Sequence, residues 1–139
     1  MVSRMTTPPQ PPYGGPPVPP PGYATNEEKT WALVAHFGGP VGILVGGGML
    51  GWVAPLIAMV AKGNESPTVR THAVAALNFQ ITWAIAMLIA IIIGVCTFGI
   101  LIFVPFLVSL VPIIFGIIAG IKANEGQLYE YPLSLKLVK

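Results

Sequence analysis

An all-α integral membrane helical bundle is the fold this sequence predicts, with two short or broken N-terminal helices followed by a long antiparallel transmembrane hairpin. Three observations predict it. Residues 73–93 and 100–121 carry no charged side chain, and each run is about long enough to cross a hydrocarbon layer of roughly 30 Å as a helix. A short turn containing Gly94, Cys96 and Gly99 joins them; backbone polar groups in lipid must be satisfied within their own segment, so the pair is expected as a helical hairpin. The composition, 54% hydrophobic and 9% charged over 139 residues, is too apolar for an ordinary soluble domain and leaves room for one small bundle with tails.

Residues 1–24 are expected to form a disordered, proline-rich tail, because the prolines between Pro8 and Pro21 interrupt any donor ladder and favour polyproline II. Within it, Pro20-Pro21-Gly22-Tyr23 has the P-P-x-Y form read by WW-type domains and Pro9-Gln10-Pro11-Pro12 satisfies P-x-x-P. A cytosolic binder of the tail is therefore one candidate partner, against the blander reading of a flexible tether. No cleavable leader is expected: the first apolar stretch begins at Trp31, behind Glu27 and Glu28.

The bundle is expected over 25–139. Thr25 and Glu28 have capping-box spacing, with Asn26 the competing cap, and Glu27 and Glu28 suit the positive end of a helix dipole. Residues 31–61 are free of charge, but as one helix they would be about 46 Å long and would contain Pro40, Pro55 and the run Gly46-Gly47-Gly48. Two helices, 27–45 and 49–62, reversing around the glycines, are expected. The competing reading is an interfacial first helix followed by a single crossing. After the polar loop at 62–67, Ser66 can cap and Pro67 can open a helix over 67–94. The last helix is expected over 100–123, bent by Pro105 and Pro112 and ended by Asn124-Glu125-Gly126. Residues 124–139 read as an interfacial segment with Tyr129 and Tyr131 as headgroup-level anchors. Lys62, Arg70, Lys122, Lys136 and Lys139 flank the same ends, and the turn at 94–99 has no cation. By the positive-inside rule those ends, and the C-terminus, are expected to face the cytoplasm.

Several function classes are disfavoured. A net charge of +2 is no electrostatic footprint for nucleic acid. Cys96 is the single cysteine, which excludes an internal disulfide and reads as a small buried side chain in the turn. Glu27, Glu28, Glu65, Glu125 and Glu130 all lie in tails, loops or helix ends, whereas a proton-coupled pump or intramembrane protease needs a buried acid. Ser109 has no base a turn away. No catalytic residue and no cofactor is expected.

His36 and His72 are the candidate intramembrane polar contacts. As two ligands without a third at a recognisable spacing they fall short of what zinc requires, so no metal is expected and interhelical hydrogen bonding is the reading. Asn78, Gln80 and Thr82 make the densest polar cluster of any expected membrane helix: Thr71, Ala75, Asn78 and Thr82 share one stripe, and Ala73, Ala76, Gln80 and Ala84 the adjacent one. Small residues with amides make a packing face; the sharper alternative is the wall of a translocation path. Gly116 and Gly120 form a G-x-x-x-G in an apolar helix, and Gly47 and Gly51 repeat the spacing. Close helix contact is implied, either inside the bundle or between protomers.

The string Glu27-Glu28-Lys29-Thr30-Trp31-Ala32-Leu33 with His36, then Glu65-Ser66-Pro67, Ala75-Ala76-Leu77-Asn78-Phe79-Gln80-Ile81-Thr82, and Lys122-Ala123-Asn124-Glu125-Gly126 with Tyr131-Pro132-Leu133, resembles a particular family. It is similar to small prokaryotic membrane proteins of unknown function related to the Tic-twenty subunit of the chloroplast inner-envelope protein translocon. The resemblance covers nearly all of 25–139, and departs from the family at Gly46 to Gly48, where a bulkier turn is expected. It implies a compact helical bundle in a prokaryotic cytoplasmic (inner) membrane, a link to protein translocation by analogy, and no catalytic residue. The expected function is a non-enzymatic bundle in the lipid bilayer that binds other membrane proteins or itself. The alternative, by resemblance, is a subunit of a protein-translocation or other membrane channel.

Overall fold

The computed structural model describes residues 22–139, which form four helices and, among these residues, no strand. The P-x-x-P match and most of the proline tail lie outside the described residues.

Helix α1 (Asn26–Val45) begins where Thr25, in extended conformation, accepts the Glu28 N–H at 3.1 Å. The Glu28 carboxylate in turn accepts the Ala24 N–H at 2.8 Å, so two donors that a helix start leaves orphaned are satisfied. Pro40 sits inside α1 without ending it. The chain reverses at Gly47 and Gly48, which take φ of +59° and +96°, a region glycine enters without steric cost; the Gly46 and Gly48 N–H groups close onto Gly42 and Ile43 carbonyls, both at 2.9 Å.

Helix α2 (Val53–Lys62) and the last helix, α4 (Val104–Asn124), both start about four residues later than the charge-free runs suggest. Proline is the common reason. Pro55 and Pro105 have no N–H to give a carbonyl four residues back, so a helix starting at 49 or 100 would lose a bond in its second turn. Starting at Val53 and Val104 puts each proline in the first turn, where no such bond is needed. Between α2 and α4, α3 (Pro67–Cys96) opens with Ser66 accepting the Val69 N–H at 3.2 Å and Pro67 at its first position. It ends in a turn where Phe98 and Gly99 take positive φ.

Helix α1 is central and touches all three others. Its glycines set the spacing: a Cβ on Gly38 would overlap the Ala54 side chain and one on Gly42 the Leu50 backbone. Ala35, Ala58, Ala73 and Ala76 are buried where α1, α2 and α3 meet, with Trp31, Met59 and Tyr131 packed around them. Close approach of small residues is how helices gain contact where lipid offers no hydrophobic drive. The α1–α2 hairpin returns to its own start, since Lys62 Nζ pairs with Glu27 at 2.9 Å. With the Tyr23 hydroxyl on the Ala123 carbonyl, that contact puts the start of α1, the α2–α3 loop and the end of α4 at one end of the bundle. Only 28% and 22% of the most apolar windows of α3 and α4 are buried inside the chain, so these are not the core helices of a soluble protein; both are long and apolar enough to cross a membrane.

Two further expectations are corrected. Cys96 is exposed, because α3 runs past Gly94 and carries it to the outer surface of the turn. The chain after Gly126 folds back along α3, and Tyr131 is no outward anchor: its hydroxyl turns inward to His36.

Candidate functional site

The shared end of the bundle gathers the polar side chains. Glu28, already closing the start of α1, accepts a hydrogen bond from Ser66 Oγ, joining the caps of α1 and α3. Lys62 Nζ lies 2.9 Å from Glu27 and 2.8 Å from Glu65. The Ser66 hydroxyl and the Ala24 N–H hold the Glu28 carboxyl below its ordinary value, and Lys62 does the same for Glu27. The two carboxylates hold the Lys62 ammonium above its usual range.

Below this ring lies a chain of aromatic and imidazole groups. His36 Nε2 is 2.9 Å from His72 Nδ1, and His36 Nδ1 is 2.7 Å from the Tyr131 hydroxyl. Helices α1 and α3 and the C-terminal segment are thereby bolted together. The proton order runs in one of two directions, from Tyr131 through His36 to His72 or the reverse, and in both each neutral imidazole donates once and accepts once along the bolt, apart from the outer His72 nitrogen. Phe79, fully buried, stacks on Tyr131 with ring centres 4.2 Å apart, and Tyr23 lies against His72 at 5.7 Å. Tyr23 itself is buried, donating its hydroxyl to the Ala123 carbonyl at 2.6 Å. Two consequences follow. Order extends before Thr25, and the tyrosine of the P-P-x-Y motif is occupied within the bundle.

The amide-rich face of α3 divides between two tasks. Asn78 Nδ2 donates to the Val138 carbonyl at 2.8 Å, and Asn78 Oδ1 accepts the Leu137 and Val138 N–H groups at 2.8 and 2.6 Å. Thr82 Oγ1 accepts the Leu135 N–H at 2.9 Å and donates to the Asn78 carbonyl; Arg70 donates to the Lys139 backbone oxygen at 2.8 Å. Residues 135–139 are thus a strap running antiparallel to α3, with the Leu135, Leu137 and Val138 N–H groups satisfied by side chains in place of a neighbouring strand. Gln80 points the other way, buried between α1 and the start of the α2 arm. A Cβ on Gly39 would overlap its Nε2, and one on Gly51 its Oε1. These amides serve the strap and helix packing. Gly116 and Gly120 also face inward: a Cβ there would come within 2.7 Å of the Pro40 ring and 2.5 Å of the Phe37 ring. The G-x-x-x-G therefore seats α4 on α1.

Among the described residues, no three His, Cys, Asp or Glu side chains converge as a metal site would need. Ser109 donates to the Phe106 carbonyl of its own helix. Between the start of α3 and the strap lies a groove of about 590 Å³, bordered by Arg70, Asn78, Tyr129, Lys136 and Lys139. Sequence reasoning missed the strap and the Tyr23 anchor; the odd spacing of Leu133, Leu135 and Leu137 was the one signal of an extended segment.

Fold and site together define a small helical membrane protein, tied at one end by polar bolts and apolar along its flanks. The chain belongs to the magnetosome magnetite crystal formation protein family, MamF_MmsF, which matches residues 27–138, the entire bundle. No curated protein and no solved structure matches it. These comparisons give no support to the resemblance to translocon-related proteins or to a link with protein translocation.

Proposed function

We propose that this chain is a non-enzymatic scaffold of a magnetite-forming membrane, contributing to crystal formation through contacts with itself or with other membrane proteins. The observation that carries this reading is the family match across the bundle. The side-chain bonding is in keeping with it: the polar groups at the shared end are engaged with one another, as a scaffold requires. Ile85, Leu88, Ile89 and Ile92 on α3 and Phe106, Leu110, Ile114 and Ile117 on α4 are exposed, an apolar flank suited to lipid and to neighbouring membrane helices. In this reading the shared end faces the cytoplasm, the side that Lys62, Arg70 and Lys122 select.

The test is genetic and biochemical. In a magnetite-forming host, removing the gene should change the size distribution of crystals seen by electron microscopy, and the tagged chain should fractionate with crystal-bearing membranes and resist alkaline carbonate. Unchanged crystals, with the protein absent from those membranes, would refute the proposal.

A further inference from the structure

The groove beside the strap has a chemistry that the scaffold reading does not use. At 1.5 Å per residue the 30 residues of α3 span about 45 Å, roughly 15 Å more than a hydrocarbon layer. With the Cys96 end at the far surface, the first turns of α3, from Arg70 to about Asn78, stand in the headgroup layer on the near side. The groove occupies that depth. Its rim holds Arg70, Lys136 and Lys139 against one carboxylate, Glu130, while Val74, Ala75, Leu128 and Val138 supply apolar walls. The strap's bonds fix the depth of each group: Lys139 lies level with Arg70, and Lys136 falls between the levels of Asn78 and Thr82. A cation that far along a membrane helix is stable only when it reaches a polar layer or an opposite charge.

We propose that this groove binds one anionic phospholipid, its headgroup phosphate held by Lys136, Lys139 and Arg70 and the start of an acyl chain against Val74, Leu128 and Val138. The volume of about 590 Å³ is in the range of pockets that take small amphiphilic ligands. A phosphate ester with a hydrocarbon tail matches both kinds of lining, the three cations and the apolar side chains that stand between their levels. The inference rests on the groove and on the depth of α3 in the bilayer, and is independent of any role in crystal formation.

The test uses the full chain in detergent, titrated with phosphatidylglycerol or phosphatidylcholine and read by native mass spectrometry. One phosphatidylglycerol per chain should be retained, and phosphatidylcholine should not. Each cation removed near an anionic headgroup costs roughly fivefold, so K136Q/K139Q should weaken binding by about 30-fold. That variant leaves the strap's backbone bonds to Asn78 and Thr82 in place. K136R/K139R should bind as the wild type does, and K29Q/K122Q, which removes cations of the same end but outside the groove, should change affinity by less than about twofold. Raising salt to about 0.5 M should weaken retention of the wild type without any substitution. Equal losses in both glutamine pairs, retention of phosphatidylcholine, or unsaturable uptake would overturn the site. Displacement of the lipid by glycerol 3-phosphate at equal concentration would overturn the lipid as occupant and leave a free phosphate ester in its place.

Discussion

Asn78 holds the strap with both halves of its amide, and its removal is the sharpest single-residue test of the polar end. Asn78→Leu leaves the Leu137 and Val138 N–H groups without their acceptor, at a cost of about 1–3 kcal/mol. The melting temperature in detergent should fall, and protease should clip the chain beyond Tyr131 while the helices stay intact. Asn78→Asp keeps the acceptor and should fall between the two. Tyr131→Phe removes one hydroxyl from the imidazole chain but keeps the stack on Phe79, so it should cost about 1 kcal/mol. Glu28 gives the pH dependence. Its carboxyl lies below its ordinary value of 4.5 in the folded chain, so its contribution is complete above that value and is lost as pH falls through the lower one. The group is only partly buried, so the effect is small. Acid melting curves of wild type and Glu28→Gln should converge at low pH and separate, with the wild type more stable, toward neutrality.

At the scale of helices, the glycine pair of α4 decides between internal packing and self-association. Gly116 and Gly120 face Pro40 and Phe37 of α1, so Gly120→Ile must displace a ring and should destabilise the bundle by at least about 1–3 kcal/mol. Cross-linking of protomers in lipid should be unaffected below the melting point. A lost oligomer with an unchanged melting profile would place the pair between protomers instead. The elements also show what local sequence carries. The caps at Thr25–Glu28 and Ser66-Pro67 are legible because every participant lies within four residues. The late starts of α2 and α4 are not read from hydropathy, because a charge-free run says nothing about where a proline lacks its N–H. The strap is harder still: Asn78 and Val138 are 60 residues apart, and no periodicity in either segment names the other. Tyr23 is hidden for a third reason, since the composition around it describes a tail while its hydroxyl serves the last turn of α4.

At the scale of the molecule, the membrane class is written plainly in the two charge-free runs, and the site is not. His36, His72, Asn78 and Gln80 stand out as polar residues among apolar ones, yet what they hold depends on which helices meet. The contact between Lys62 and Glu27 brings the first hairpin back to its start and so gathers three segments at one end of the bundle, which in a bilayer is expected to be one side. Single-cysteine accessibility tests that arrangement directly. The native Cys96, exposed at the far turn, should react with a membrane-impermeant thiol reagent from one side of sealed vesicles. In a Cys96→Ser background, single cysteines replacing Ala24, Glu65 and Gln127 should all react from the opposite side. Labelling of the cysteine at 24 from the same side as Cys96, with those at 65 and 127 on the other, would contradict the bundle described here.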